Sequence, residues 1–196
     1  GGESAGDGEL ARSLVNLGES LREEGKYEEA LEKYCEGLDM ARKVLGNEHP
    51  RTARALMGVA GVYLEQGKYD LALGRLEEAL GIRVQVLGHD HEDVANTLTN
   101  MALVHQGQGK HSQALKGFKE ALEILKNSVG QGHVSVAYVL HNIASVHHVQ
   151  GKLSKALKGY KEALHIFRKE LGDEHPKAAK ALSNMSTVYR EQGKLP

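Results

Sequence analysis

The chain has 196 residues, of which 40% are hydrophobic and 26% are charged, and its formal net charge is −1. This near-neutral balance gives no basic face for nucleic acid, and no apolar run reaches the roughly 18 residues that span a membrane. Cys35 is the only cysteine, which excludes an internal disulfide and favours a reducing, cytoplasmic setting.

The start of the chain differs in composition from the rest. Residues 1–9 read GGESAGDGE, which lacks the basic start and apolar centre of a signal peptide. We expect a flexible leader here, contributed by a cloning vector. Residues 10–192 are predicted to be helical throughout, because the alternation and hairpin turns that mark strands are missing.

A Gly-Lys pair recurs along this helical region every 42 residues, at Gly25, Gly67, Gly109, Gly151 and Gly193. An alanine follows each of the first four pairs by five positions, at Ala30, Ala72, Ala114 and Ala156. A large residue comes four positions later, at Tyr34, Leu76, Phe118 and Tyr160. Small and large residues at such spacings indicate amphipathic helices that pack closely on one another.

Each 42-residue period is predicted to hold two helices. Helix A runs from the His-Pro position to the residue before Gly-Lys, and helix B runs from just after Gly-Lys to the next Leu-Gly. Glycine suits the left-handed cap at both helix ends, and Pro50 and Pro176 fall in the first turn of helix A. The region 10–192 therefore contains four full 42-residue repeats plus one terminal helix.

The pattern L-x-N-L-G, then G-x-Y-x-x-A, resembles the tetratricopeptide repeat, whose usual period is about 34 residues. The period of 42 and the junctions LGNEHP at 45–50 and LGDEHP at 171–176 resemble the kinesin light chain type. This resemblance implies an all-α fold, a right-handed α-solenoid whose A helices line a concave groove. It also implies a function: binding an extended peptide segment of a partner protein, as a cargo or adaptor scaffold.

Asparagine recurs at one groove position of the A helices in four of five repeats, at Asn16, Asn100, Asn142 and Asn184, whereas Gly58 interrupts the series. A side-chain amide both donates and accepts hydrogen bonds, so a ladder of amides could hold an extended backbone. The same amides could instead bond across adjacent helices and stiffen the stack. The predicted peptide-binding residues are Arg54, Asn96, Asn100, Tyr138, His141, Asn142, Lys180 and Asn184.

Other site types find little support in the sequence. Four histidines begin helix A once per period, and we expect them to be structural rather than metal ligands: His49, His91, His133 and His175. No catalytic triad, carboxylate pair or phosphate loop stands out, so we expect no metal, no cofactor and no enzymatic activity.

A structural role is the alternative to peptide binding: an oligomerisation module, or the sensor arm of a larger signalling protein. Leu182, Met185 and Tyr189 are expected to leave an apolar face open on the last helix. The chain could self-associate through that face.

Overall fold

The computed structural model describes residues 2–193, with side chains from residue 6 onward. Within that range the chain forms nine α-helices and no strand. They are α1 (Gly2–Glu23), α2 (Tyr27–Leu45), α3 (Pro50–Glu65), α4 (Tyr69–Leu87), α5 (Glu92–Gly107), α6 (His111–Ser128), α7 (Val134–Val149), α8 (Leu153–Leu171) and α9 (Pro176–Glu191). The predicted all-α repeat solenoid is therefore confirmed.

Successive helices pack on one another, and the contact is more extensive within the predicted A–B pairs than between them. The small and large residues of the repeat form the interior of these pairs. Ala30, Ala72, Ala114 and Ala156 are all 0% exposed. Their large partners Tyr34, Leu76, Phe118 and Tyr160 are also buried. The small and large residues that alternate in the sequence therefore form the core of the solenoid.

Glycine stands at every turn between helices because the backbone there is left-handed. Gly25 has φ of 78° after α1, and Gly46 has φ of 95° after α2. The same two conformations recur at the equivalent glycines of the later repeats. A residue with a Cβ is strained at such φ values, so the periodic glycines are a requirement of the turn.

The histidine at the start of each A helix is a helix cap. The Nδ1 atom of His49 accepts a hydrogen bond from the backbone N–H of Arg51 at 3.1 Å. His91, His133 and His175 make the same bond to the residue two positions on. The predicted structural role of these histidines is confirmed.

The first helix reaches further toward the start of the chain than expected. Residues 2–9 continue α1 where the sequence suggested a leader without regular structure. The carbonyl oxygen of Gly8 also accepts a hydrogen bond from Arg51 Nη1 at 3.1 Å. Extending an existing helix adds one hydrogen bond per residue, which offsets the cost of the glycines. The expected flexibility and vector origin of residues 1–9 stay predictions.

The odd-numbered helices lie on the inner, concave side of the stack. The backbones of α1 and α3, of α3 and α5, and of α5 and α7 approach one another closely. No even-numbered pair among the described helices has a comparable approach. Curvature brings elements closer on the inside than on the outside, so the odd helices form the groove surface. None of the described helices has the length and apolarity to cross a membrane.

Candidate functional site

A pocket on the inner surface is formed by side chains from the last three helices. It has a volume of about 90 Å³ and is lined by Tyr138, His141, Asn142, Phe167, Lys177 and Lys180. We call it the α7–α9 pocket. The ring of Tyr138 meets the buried ring of Phe167 edge-on, with the centroids 5.3 Å apart. The pocket therefore has an aromatic wall fixed by the core.

The two lysines give this pocket an uncompensated positive charge. Lys177 Nζ lies 4.8 Å from the centroid of the Tyr138 ring, a cation–π contact. Among the described residues, neither Lys177 nor Lys180 has a carboxylate within ion-pair distance. An aromatic surface beside free ammonium groups favours a ligand that carries both an apolar and an acidic group.

His141 forms the floor of the α7–α9 pocket and is neutral. Burial, together with the positive charges of Lys180 and Lys177, lowers its pKa to about 4, while a hydrogen bond to Asn142 opposes the change. The ring also packs against Tyr160, with the centroids 5.0 Å apart. The floor of the pocket is therefore uncharged, whereas its rim carries the positive charges of Lys177 and Lys180.

A second and larger pocket lies on the inner surface near the other end of the array. It has a volume of about 210 Å³ and is lined by Val15, Glu19, Arg22, Tyr34, Arg54, Met57, Gly58, Gly61 and Asn100. We call it the α1–α5 pocket. Its charges are already paired: Arg54 lies 3.5 Å from Glu19, and Arg22 lies 3.4 Å from Glu65. This pocket has little free charge to offer a ligand.

The ring of Tyr34 occupies the space that a side chain would need at Gly58, where the asparagine series is interrupted. A Cβ on Gly58 would stand 2.2 Å from Cε1 of Tyr34, well inside van der Waals contact. The same ring also lies against Gly18 on α1. The tyrosine therefore fills the groove floor between α1 and α3, beside the glycine that interrupts the amide ladder.

Asn100 and Asn184 make hydrogen bonds within the protein. Asn100 Nδ2 donates to the carbonyl oxygen of Asn96 on its own helix at 3.1 Å. Asn184 Nδ2 lies 3.0 Å from Nε2 of His141 and so joins α9 to α7. The bond of Asn184 is the cross-helix role that the sequence left open. Asn100, Asn142 and Asn184 are half-buried, whereas Asn16 is exposed.

The structure brings five of the eight predicted residues together. Four of them line the α7–α9 pocket, and Asn184 joins them through His141. Arg54 and Asn100 line the α1–α5 pocket instead, and Asn96 is exposed on α5 outside both pockets. Sequence reasoning missed Phe167 and Lys177. Phe167 is the only aromatic residue of its column across the repeats, which was the available signal.

Other candidate chemistry is sparse in the described part of the chain. No three His, Cys, Asp or Glu side chains between residues 6 and 193 cluster in a way that could hold a metal ion. Cys35 is exposed. Burial raises the pKa of its thiol, with a further contribution from Asp39, so the thiol is not activated.

Comparison with known proteins agrees with the fold. The family model described as tetratricopeptide repeat matches residues 9–83, 57–127 and 135–196. No curated protein sequence gives a significant match. The chain is similar in structure to BtubC (BKLC) from P. vanneervenii, with a TM-score of 0.80, 24% identity, and coverage of 96% of this chain and 75% of that one.

Two further similar structures come from Podosopora anserina and are described as a kinesin light chain with nearly identical TPR-like repeats. One, a variant with a single substitution, has a TM-score of 0.75 at 21% identity and covers 96% of this chain and 88% of that chain. The other has a TM-score of 0.74 at 22% identity, with coverage of 96% and 89%. At such identities the likeness concerns the fold.

Proposed function

The chain belongs to the tetratricopeptide repeat family, and we propose that it binds an extended peptide segment of a partner protein along its inner surface. Proteins of this family generally mediate protein–protein interactions, and the solved structures it resembles are repeat solenoids of the kinesin light chain type. A scaffold that presents such a partner as cargo or adaptor is the role we propose for this chain.

The α7–α9 pocket is the observation that carries this proposal. It combines an aromatic wall at Tyr138, an amide at Asn142 and the unpaired ammonium of Lys180. An aromatic or aliphatic side chain of the ligand would fill the pocket. The amide would meet the peptide backbone, and the ammonium groups would meet a neighbouring carboxylate.

The opposite end of the inner surface is proposed to contribute shape rather than charge. Arg54 is held by Glu19 at 3.5 Å and by the side-chain oxygen of Asn16 at 3.0 Å. An acidic ligand would have to break these bonds before it could pair with Arg54. We therefore expect acidic residues of the ligand to lie over α7–α9, with more neutral residues over α1–α5.

A peptide-array screen with the purified chain tests this function. We expect wild-type protein to retain a family of peptides with an acidic residue next to an apolar one. The Asn142→Ala/Lys180→Ala variant should lose about tenfold or more in affinity, since each group contacts the ligand directly. Asn96→Ala is the matched control, because Asn96 is exposed and lies outside both pockets. Equal binding by all three proteins would contradict the proposal.

The alternative, a module for oligomerisation, makes a different prediction in the same preparation. Leu182 on α9 is 37% exposed, which leaves some apolar surface on the last described helix. Self-association through it would raise the mean mass with concentration and would be unaffected by the two pocket substitutions. Sedimentation at several concentrations separates the two functions.

We further propose that the chain has no enzymatic activity of its own and works in the cytoplasm. Family members and solenoids of this kind are typically non-enzymatic scaffolds. The free and exposed thiol of Cys35 fits a reducing compartment. Labelling with a thiol reagent in intact cells would check the location, since a thiol in an oxidising compartment would be blocked.

A further inference from the structure

A crevice opens on the outer surface between α6 and α8, and it is separate from the inner groove. It has a volume of about 530 Å³. Lys126, Lys161 and Lys169 stand around it, and Val136 and Ile166 are among its apolar lining residues. We call it the outer crevice. It lies on the side of the array formed by even-numbered helices, away from the groove.

The equivalent region two repeats earlier is crossed by polar bridges. Arg42 on α2 forms an ion pair with Glu78 on α4. Nearby, Gln85 Nε2 donates to a carboxylate oxygen of Glu48 at 3.0 Å. The first bridge joins α2 to α4, and the second joins α4 to the turn between α2 and α3.

The crevice of the next repeat is also crossed. His89 Nε2 lies 3.5 Å from the carboxylate of Glu120 on α6. Since His89 stands at the junction before α5, this contact again links one repeat to the next. Two successive crevices are thus bridged in the same region of the repeat.

The first of these bridges is not formed across the outer crevice. Lys126 and Glu162 occupy the positions that Arg42 and Glu78 hold two repeats earlier. The carboxylate of Glu162 lies instead 4.0 Å from the ammonium of Lys158 on its own helix. Lys126 is therefore left to line the open crevice.

The second bridge cannot form because one of its partners is missing. Gly132 stands where Glu48 stands in the first junction, and Lys169 replaces Gln85. Lys169 thus faces a glycine instead of a carboxylate, and it pairs only weakly with Glu170 at 3.8 Å. The crevice stays open and is lined by three lysines and one carboxylate.

The surrounding region is also basic, although the whole chain is nearly neutral. Residues 110–196 contain 14 Lys or Arg residues and 7 Asp or Glu residues, whereas residues 1–48 contain 6 and 12. The outer crevice therefore lies in the positive part of an uneven charge distribution, which attracts acidic ligands.

We propose that the outer crevice is a second binding site, which takes an acidic segment of a partner protein. Its lysines pair with carboxylates, and its apolar floor takes one aliphatic side chain of the segment. The floor favours a polypeptide over nucleic acid, because a phosphate backbone has nothing to place on Val136 and Ile166.

Substitution of Gly132 by glutamate tests the site by supplying the carboxylate that is missing from this junction. Gly132 does not have a left-handed backbone, and the only atom within 4 Å of an added Cβ is Lys169 Nζ at 4.0 Å. Gly132→Glu should therefore fold normally, pair with Lys169 and close the crevice. The probe is a short fluorescein-labelled peptide of alternating glutamate and leucine, measured by anisotropy.

We expect Gly132→Glu and Lys126→Ala/Lys169→Ala to weaken binding of this probe by about tenfold or more. Lys116→Ala, an exposed lysine of α6 outside the crevice, is the matched control and should bind as wild type. All of these measurements are made in the Asn142→Ala/Lys180→Ala background, because the inner pocket is also proposed to take an acidic residue next to an apolar one. Binding that Gly132→Glu leaves unchanged in this background would overturn the proposal.

A single-stranded DNA oligonucleotide of mixed sequence, labelled in the same way, is the second probe. Tighter binding of the oligonucleotide than of the peptide, lost on Lys126→Ala/Lys169→Ala, would assign the crevice to nucleic acid and overturn the proposal. Concentration-dependent mass in wild type that disappears in Gly132→Glu would assign the crevice to a second copy of this chain and would equally overturn it.

Discussion

A hydrogen bond joins Asn184 to His141 across the floor of the groove, with Nδ2 and Nε2 3.0 Å apart. Because an amide nitrogen can only donate, Nε2 of the histidine must accept and cannot carry a proton. Burial and the nearby charges of Lys180 and Lys177 act in the same direction and lower the pKa of His141 to about 4. The bond is therefore tied to the neutral state of the ring.

We expect the titration of His141 to lower the free energy of unfolding as the pH falls below about 6.5. The unfolded chain binds a proton at the ordinary histidine pKa, whereas the folded chain resists protonation until about pH 4. The free energy of unfolding should fall by roughly 2 kcal/mol between pH 7 and pH 5 from this residue. Urea unfolding at both pH values measures it. The other histidines also titrate, so the comparison is with His141→Gln, and an equal pH effect in both proteins would contradict the expectation.

Restoring the asparagine series at Gly58 should destabilise the protein. Gly58→Asn places a Cβ against the ring of Tyr34, and overpacking of this kind costs about 1–3 kcal/mol. Tyr34→Leu should rescue the variant, since the smaller side chain vacates the space that the tyrosine ring occupies. Thermal unfolding of the two single variants and the double variant measures the coupling. Additive effects would show that the two positions do not compete for space.

The buried guanidinium of Arg83 is expected to be replaceable by an apolar pair. Arg83 is 8% exposed and its Nη1 donates to the carbonyl of Asp93 at 2.8 Å and to Oγ1 of Thr97 at 2.9 Å. Thr97→Val alone removes one acceptor and should cost about 1–2 kcal/mol.

The double variant Arg83→Leu/Thr97→Val copies the next repeat, which has Leu125 and Val139 at these positions. We expect its free energy of unfolding to equal or exceed that of wild type, because apolar packing often replaces buried charge without loss. Denaturant unfolding measures all three variants. A double variant weaker than Thr97→Val would mean that the guanidinium is essential to the α4–α5 contact.

The histidine caps should each contribute to stability through one hydrogen bond. His91 Nδ1 accepts from the N–H of Asp93 at 3.1 Å, and His91→Ala should cost about 1 kcal/mol. His91→Asn is the control, since its side-chain oxygen can accept the same bond. Chemical denaturation compares the three proteins. A loss of equal size in both variants would assign the effect to packing rather than to capping.

The fold could be predicted because its signals are local and repeated. A glycine with positive φ, as at Gly25, is needed wherever the chain turns, so the glycines mark the helix boundaries in the sequence. Tyr138, His141, Asn142 and Lys180 could be placed on the groove for the same reason, since they occupy fixed positions of the A helix.

The interactions between repeats were harder to predict. Phe167 reaches the pocket from a B helix, so it lies outside the periodic groove positions of the A helices. Arg54 looked like a free basic group, but curvature places it beside Glu19 of the preceding A helix. Such pairings depend on the angle between successive repeats, which the spacing within one repeat does not encode.

The extensive helix contacts in the described chain join helices that are one or two apart in the sequence. Within the described residues, no helix packs extensively on a helix more than two positions earlier in the chain. A small rotation at each repeat boundary therefore accumulates along the length, much as in a coiled spring. A slight shift at each interface can therefore add up to a larger displacement between the ends of the array.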